Sequence, residues 1–267
     1  MENIKEYSAR KKQELKEKIK GKHITSLIIQ IGNNDASNAY IRGKIKDCEE
    51  VGIDCQLVKL DENISQEMLL EIISSYNKDP SINGFIVQLP LPNHISEKAV
   101  IDAIDKNKDI DGFSPLSLVN PATPQGIITY LEDNNFDLTN KNALIIGRSN
   151  IVGRPVAKLL LDKSCNVSVI HSKTSGRNKR RLLRDADLII VATGHRNTLT
   201  DSDLIEASPD CLIIDVGMNR NDEGKLCGDC ENVIIREKTP VPGGVGLLTR
   251  LALLNNIVKL YNLTENK

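Results

Sequence analysis

Between Asn142 and Leu161 the chain reads Asn142-Ala143-Leu144-Ile145-Ile146, then Gly147-Arg148-Ser149-Asn150-Ile151-Val152-Gly153, then Arg154-Pro155-Val156-Ala157-Lys158-Leu159-Leu160-Leu161. A short apolar run ending in glycine, a polar turn, a second glycine and a helix-periodic segment predict strand, tight turn and helix. Pro155 suits the first helical turn, where a missing N–H costs nothing. Unpaired backbone N–H groups at that helix start, with the helix dipole, would receive a phosphate or pyrophosphate. The common G-x-G-x-x-G spacing is absent, so Gly147 and Gly153 alone fit a structural turn as well as a dinucleotide loop.

The sequel favours the nucleotide. A second predicted strand, Val167 to Ile170, runs into His171-Ser172-Lys173-Thr174. An NAD site places Asp or Glu at such a strand end, roughly 20 residues past the glycines, to take the ribose 2′-hydroxyl. Here a hydroxyl and cations stand instead, Ser172 with Arg148, Lys173 and Arg177, which suits a 2′-phosphate and makes NADP the expected cofactor. Lys179, Arg180 and Arg181 read as a solvated helix face.

The chain's 267 residues suffice for two domains with their own cores. A net charge of −1 argues against an electrostatic nucleic-acid binder. No apolar run reaches membrane-spanning length, and the charged start Met1 to Lys20 is unlike a signal peptide, so a cytoplasmic protein is expected. Of six cysteines only Cys227 and Cys230 have C-x-x-C spacing; without a second ligand pair they read as reduced thiols, and no metal site is expected.

Taken in order, a charged helix (residues 2–20, with Ile4, Leu15 and Ile19 inward) precedes strand 24–31. A helix capped by Asp35 or Ser37 runs to Val51 and stops at Gly52. Strand 56–60, helix 66–76 and strand 84–88 follow, and continuous apolar strands between helices predict a parallel sheet covered on both faces. Helices 96–104 and 125–134 lead into the nucleotide unit, which adds strands 188–192 and 212–216. A helix from Thr249 to Leu260 is expected to pack back on the first domain. The fold class is α/β, two α/β lobes with a cleft, the second a Rossmann-like parallel-sheet domain. The expected boundaries are 1–118 completed by 248–267, and 119–247.

Several residues could carry chemistry. Tyr40 and Lys44, four apart, flank the buried stripe Ile41, Ile45 and Cys48; such a pair points into a crevice or, more commonly, snorkels over it. Gln88 closes a strand where parallel-sheet ligands bind. Asp111 is a turn-former by default, and otherwise a carboxylate able to accept two parallel N–H bonds from a flat amino-heterocycle such as a pterin.

These segments, with Leu89-Pro90-Leu91-Pro92, Lys108 to Phe113, Pro121 to Gly126, Ile214 to Gly217 and Thr239 to Gly246, resemble collinearly the bifunctional methylenetetrahydrofolate dehydrogenase/methenyltetrahydrofolate cyclohydrolase family. The resemblance implies NADP-dependent oxidation of 5,10-methylenetetrahydrofolate to the 5,10-methenyl cation, hydrolysis to 10-formyltetrahydrofolate, and a homodimer acting on tetrahydrofolate derivatives. It makes Lys44 the central catalytic lysine, aided by Gln88, with Asp111 gripping the pterin and Tyr40 packing on the aminobenzoyl part. Pro242, Gly243 and Gly244 fall on the folate side. Gly147, Arg148, Ser149, Ile151, Val152, Gly153, Ser172, Thr193, Gly194 and Met218 match cofactor positions.

The chain departs from the family pattern in several places. The connection Phe113 to Pro121 is short, Ala122 replaces a cysteine, and Leu247 and Leu248 stand where Pro and Met are common. Met218 takes a usual Ile position, and an early Asp-Gly-Lys is missing. None removes a catalytic group; substrate affinity and the balance of the two activities are where these changes would act.

Overall fold

The computed structural model describes residues 1–265. The chain divides into two compact units, Ser8–Ala122 with Arg250–Lys267, and Met1–Tyr7 with Thr123–Thr249.

The first unit is built on a parallel three-stranded sheet, β1 (Thr25–Ile31), β2 (Asp54–Leu60) and β3 (Gly84–Val87), in the order β2-β1-β3. Crossover helices α2 (Asp35–Val51) and α3 (Gln66–Lys78) connect the strands, and α4 (Glu97–Ala103) follows β3. One face packs Ile24, Ile28 and Ile86 on Ile41 and Cys48 of α2, on Leu15 of α1 (Ile4–Lys18) and Ile19 just after it, and on Leu253, Leu254 and Ile257 of α8 (Val245–Glu265). The other packs Leu27, Ile29 and Phe85 on Leu69 and Ile73 of α3 and Val100 of α4. Each such aliphatic side chain contributes about 1.5–3 kcal/mol on burial. From β1 the chain moves outward to β2 and then crosses to β3, so the sheet has its switch point between β1 and β3, at whose carboxyl ends ligands bind.

The second unit contains a parallel sheet of β4 (Asn142–Ile146), β5 (Asn166–Ile170), β6 (Leu188–Val191) and β7 (Leu212–Asp215), ordered β5-β4-β6-β7. Helices α5 (Ala122–Asp133), α6 (Gly153–Asp162) and α7 (Gly176–Arg184) complete it. Here the switch point lies between β4 and β6. Two large clusters, one holding Ile145, Val156, Leu160 and Ile190, the other Leu144, Leu183, Ile189 and Ile213, show that both faces are covered.

The expected elements are present with shifted ends. Helix α5 begins at Ala122 rather than Gln125, because Pro124 is tolerated in a first turn. Helix α8 starts at Val245 rather than Thr249, directly from the glycine loop; residues 266 and 267 of the expected C-terminal helix lie outside the described residues. A two-stranded ribbon, β8 (Asn219–Arg220) with β9 (Leu226–Cys227), had no sequence signal, its strands being two residues each. No described helix is long and apolar enough to cross a membrane.

Candidate functional site

Helix α2 presents the first group of residues. Asn34, not Asp35 or Ser37, caps it: the Asn34 side-chain oxygen accepts from the Ser37 N–H at 3.1 Å, and the side chain of Asp35 lies outside the described part. Gly52, at φ +93°, ends the helix as expected. On this helix Lys44 is only 7% exposed, so the snorkelling expectation fails. Its Nζ donates to Gln88 Oε1 at 3.1 Å, and Gln88 Nε2 donates to the Leu89 carbonyl at 2.8 Å, which turns the amide oxygen toward the lysine. Gln88 itself follows β3 directly, its N–H bonded to the Ile29 carbonyl at 2.8 Å. The lysine is held inward because a polar acceptor waits at the sheet's switch point.

Asp111 belongs to the same cluster. Burial pushes its carboxyl up from the ordinary range, and the charge of Lys44 opposes that rise. Tyr40, one turn before Lys44, is half-buried; burial raises its phenol and the Arg250 guanidinium pulls it back. The structure therefore brings Lys44 onto Gln88 and places Asp111 within their electrostatic reach.

Residues that the sequence did not single out hold this cluster. Asp109, buried, accepts from the Gly112 and Ser114 N–H groups at 2.9 and 3.0 Å, and Asn256 Nδ2 of α8 donates to the carbonyls of Ile110 and Asn120 at 2.9 and 3.0 Å. The short connection after Asp111 is thus anchored at both ends. A Cβ on Gly112, whose φ is +71°, would fall 2.5 Å from the Asn120 carbonyl, so only glycine fits. Asp47, one turn beyond Lys44, is buried between Lys12 Nζ at 3.1 Å and Arg250 Nε at 3.0 Å, fixing α2 against α1 and α8. Asp47 lies three residues after Lys44, a spacing that could have flagged it.

The second group surrounds the switch point of the four-stranded sheet. Gly147 has φ +123°, and a Cβ there would stand 2.3 Å from the Ala192 carbonyl oxygen; one on Gly153 would stand 2.5 Å from that of Gly147. These glycines bring the turn after β4, the segment after β6 and the start of α6 into backbone contact. The helix start is not left open as expected. Ser149 Oγ accepts from the N–H groups of Val152 and Gly153 at 3.2 and 3.3 Å, and the Ser149 carbonyl from Arg154 at 3.0 Å. A short polar side chain in the turn takes up N–H groups that would otherwise stay unpaired. Arg148, Ser149 and Ile151 are exposed and Val152 half-buried.

Ser172 and Lys173 are exposed after β5, on a turn where the His171 N–H donates to Thr174 Oγ1 at 3.0 Å. No carboxylate occurs from His171 to Arg184. Arg180 and Arg181 are exposed, but Lys179 is not a solvated residue: its Nζ pairs with Asp203 at 2.8 Å and donates to the Thr198 carbonyl at 3.2 Å. Thr193, half-buried, and Gly194, at φ +70°, follow β6; Met218, 43% exposed, follows β7. Pro242 is exposed, Gly243 has φ +95°, and a Cβ on Gly244 would stand 2.2 Å from the Pro240 carbonyl oxygen.

The C-x-x-C segment is a wrapping loop. Asp215, 1% exposed, accepts from the N–H groups of Gly217 and Asp229 on one oxygen at 3.0 and 2.9 Å, and from Cys230 on the other at 2.9 Å. A Cβ on Gly228 would fall 1.9 Å from Asp215 Oδ2. Cys227 and Cys230 are buried and free, and burial pushes both thiols up. Among the described residues no group of three or more His, Cys, Asp or Glu could hold a metal.

Comparison with known proteins shows the chain's family. Residues 2–111 match the model of the tetrahydrofolate dehydrogenase/cyclohydrolase catalytic domain, and residues 121–265 that of the family's NAD(P)-binding domain. The chain is 44% identical over 245 residues to the bifunctional protein FolD of Bacillus subtilis, covering 87% of this chain and 85% of that one. Among solved structures, the bifunctional FolD of Campylobacter jejuni superposes with a TM-score of 0.89 at 40% identity over 98% of both chains. The Trypanosoma brucei dehydrogenase-cyclohydrolase, solved with NADP cofactor and an inhibitor, gives 0.90 at 26% identity over 99% of this chain and 98% of that one. The chain therefore belongs to the tetrahydrofolate dehydrogenase/cyclohydrolase family.

Proposed function

We propose that this protein oxidises 5,10-methylenetetrahydrofolate with NADP and hydrolyses the 5,10-methenyl product to 10-formyltetrahydrofolate. The observation that carries the reading is the buried Lys44 bonded to Gln88, with Asp111 in electrostatic reach, at the switch point of the three-stranded sheet.

Lys44 carries protons in the hydrolytic half. Water adds to the methenyl carbon between N5 and N10 and gives up a proton to Lys44 Nζ, which enters this step as the neutral amine beside the cationic substrate. The C–N5 bond then breaks as N5 takes that proton back from Lys44, the carbinol hydroxyl gives its own proton to solvent as the C=O forms, and the formyl group stays on N10. Gln88 aims the lysine. Asp111 accepts N–H bonds from the pterin, and Tyr40 packs along the aminobenzoyl part. The family resemblance assigns Pro242, Gly243 and Gly244 to the folate.

The residues present fit NADP. Gly147, Ser149 and Gly153 make a turn too tight for side chains at the glycines, Ile151 and Val152 lead into α6, and Thr193, Gly194 and Met218 follow β6 and β7. Ser172, Lys173 and Arg148 offer a hydroxyl and cations, with no carboxylate to repel a 2′-phosphate. When bound, the cofactor supplies the nicotinamide carbon that accepts the hydride. Ser172→Asp is expected to move the NADP-to-NAD ratio of kcat/KM toward NAD by about tenfold or more. An unchanged ratio would show that Ser172 does not discriminate.

A turnover assay with methylenetetrahydrofolate and either cofactor, following reduced cofactor and methenyl absorbance separately, tests the whole reading. Reduced NADP without lasting methenyl accumulation is expected. Accumulated methenyl compound would demote the protein to a dehydrogenase, and no reduction with either cofactor would end the enzymatic reading. Family membership also supports a cytoplasmic homodimer, checked by sedimentation and by localisation of the tagged chain; the near-zero net charge supports a small-molecule rather than a nucleic-acid partner.

A further inference from the structure

Asp229 is fully buried, and its carboxylate takes four donors. Oδ2 accepts from the Thr193 N–H at 2.7 Å, the Thr193 hydroxyl at 2.9 Å and the Gly194 N–H at 3.0 Å. Oδ1 accepts from Asn219 Nδ2 at 2.9 Å. The Asp229 carbonyl accepts from the Thr198 N–H at 2.9 Å, closing the far side of the same loop. A Cβ on Gly217 would lie 2.1 Å from Asp229 Oδ1, so the backbone just before Met218 rests directly on this carboxylate.

The two segments it joins matter for their place in the sheet. Thr193 and Gly194 leave β6 beside the switch point, where the Ala192 carbonyl meets Gly147, and Gly217 to Asn219 leave the neighbouring β7. Both segments lie at carboxyl ends of parallel strands, where ligands of such sheets bind. Gly194 also turns through φ +70°, a conformation that glycine tolerates but does not enforce. Something else must hold the loop, and a carboxylate with about four acceptor sites can satisfy these donors at once, where a hydroxyl or apolar side chain could not.

We propose that Asp229 is a positioning residue for the nicotinamide cofactor, its carboxylate tying the Thr193-Gly194 loop to the Gly217-Met218-Asn219 segment so that both face NADP in one fixed geometry. The inference rests on the NADP reading given above. Asp229 touches neither reactant; it acts through Thr193, Gly194 and Met218. The C-G-D-C segment is thereby given a purpose unrelated to its thiols: Gly228 lets the loop close on Asp215, and Asp229 is the side chain delivered.

The test is an NADP titration by calorimetry, beside steady-state kinetics, on wild type, Asp229→Ala and Asp229→Asn. Asparagine keeps an acceptor oxygen for the three donors, and Asn219 can reverse its amide to receive the new NH2. Asp229→Ala is expected to raise the NADP Kd and KM about tenfold or more, with the methylenetetrahydrofolate KM within about threefold of wild type. Asp229→Asn is expected to keep its NADP Kd within about threefold. An unchanged NADP Kd in Asp229→Ala would overturn the role, as would equal rises in both KM values, which a merely structural residue would give. If Asp229→Ala is not recovered folded, Asn219→Leu reads the same carboxylate from its other side: an NADP Kd raised about fivefold or more supports the role and one within about threefold of wild type overturns it. Wild-type protein that binds no nicotinamide nucleotide would overturn the cofactor reading together with this one.

Discussion

Lys44→Met is expected to lose the hydrolytic half-reaction, the rate of 10-formyl production from the methenyl compound falling by about 10²–10⁴-fold. The lysine lies buried with its Nζ on Gln88, so the substitution removes a proton carrier and little volume. Methionine is unbranched and flexible enough to fill the same space. Loss of the ammonium also takes away a charge that holds the Asp111 carboxyl down, so that group should rise further. The check is methenyl absorbance during turnover, corrected for the uncatalysed hydrolysis rate. Hydrolysis at the wild-type rate in this variant would remove Lys44 from the mechanism.

The architecture was legible in the chain because its signals are local. Apolar runs such as Leu27–Ile29 and Leu188–Val191 have no polar face, which a parallel strand covered on both sides requires, and the glycines at 52 and 147 sit where the backbone turns left-handed. What stayed hidden depends on contacts distant in sequence. Lys44 read as a snorkelling side chain because nothing near it in the chain reveals that Gln88, 44 residues later, supplies an acceptor. The start of α6 read as an open phosphate site, yet the Ser149 hydroxyl closes the nearest N–H groups. Asp229 sat unnoticed between two cysteines whose spacing drew attention to the wrong atoms, although a buried Asp flanked by glycine in a short loop is a plausible acceptor for backbone N–H groups.

Asp111→Ala should cost binding of the folate rather than folding. The carboxyl offers acceptors for two pterin N–H groups; losing two charge-assisted bonds, each about 1.5–3 kcal/mol, lowers kcat/KM for methylenetetrahydrofolate by about 100-fold or more. Burial is the largest influence on this group and it favours the protonated form, so the ionised state needed for those bonds is the strained one. The sign follows directly. A carboxyl whose pKa is raised on folding is protonated in the folded protein at pH values where the unfolded chain has already ionised it. Its contribution to stability is therefore greatest at low pH and declines as pH rises through the interval above the ordinary carboxylate range. Substrate binding runs the other way, weakening as pH falls through that same interval. In Asp111→Ala the acid limb of the kcat/KM profile should flatten, and the melting temperature at neutral pH should not fall, because a half-buried carboxyl whose charged form burial disfavours has gone. A variant that kept the wild-type acid limb, or lost stability in step with activity, would show that Asp111 holds the turn rather than the pterin.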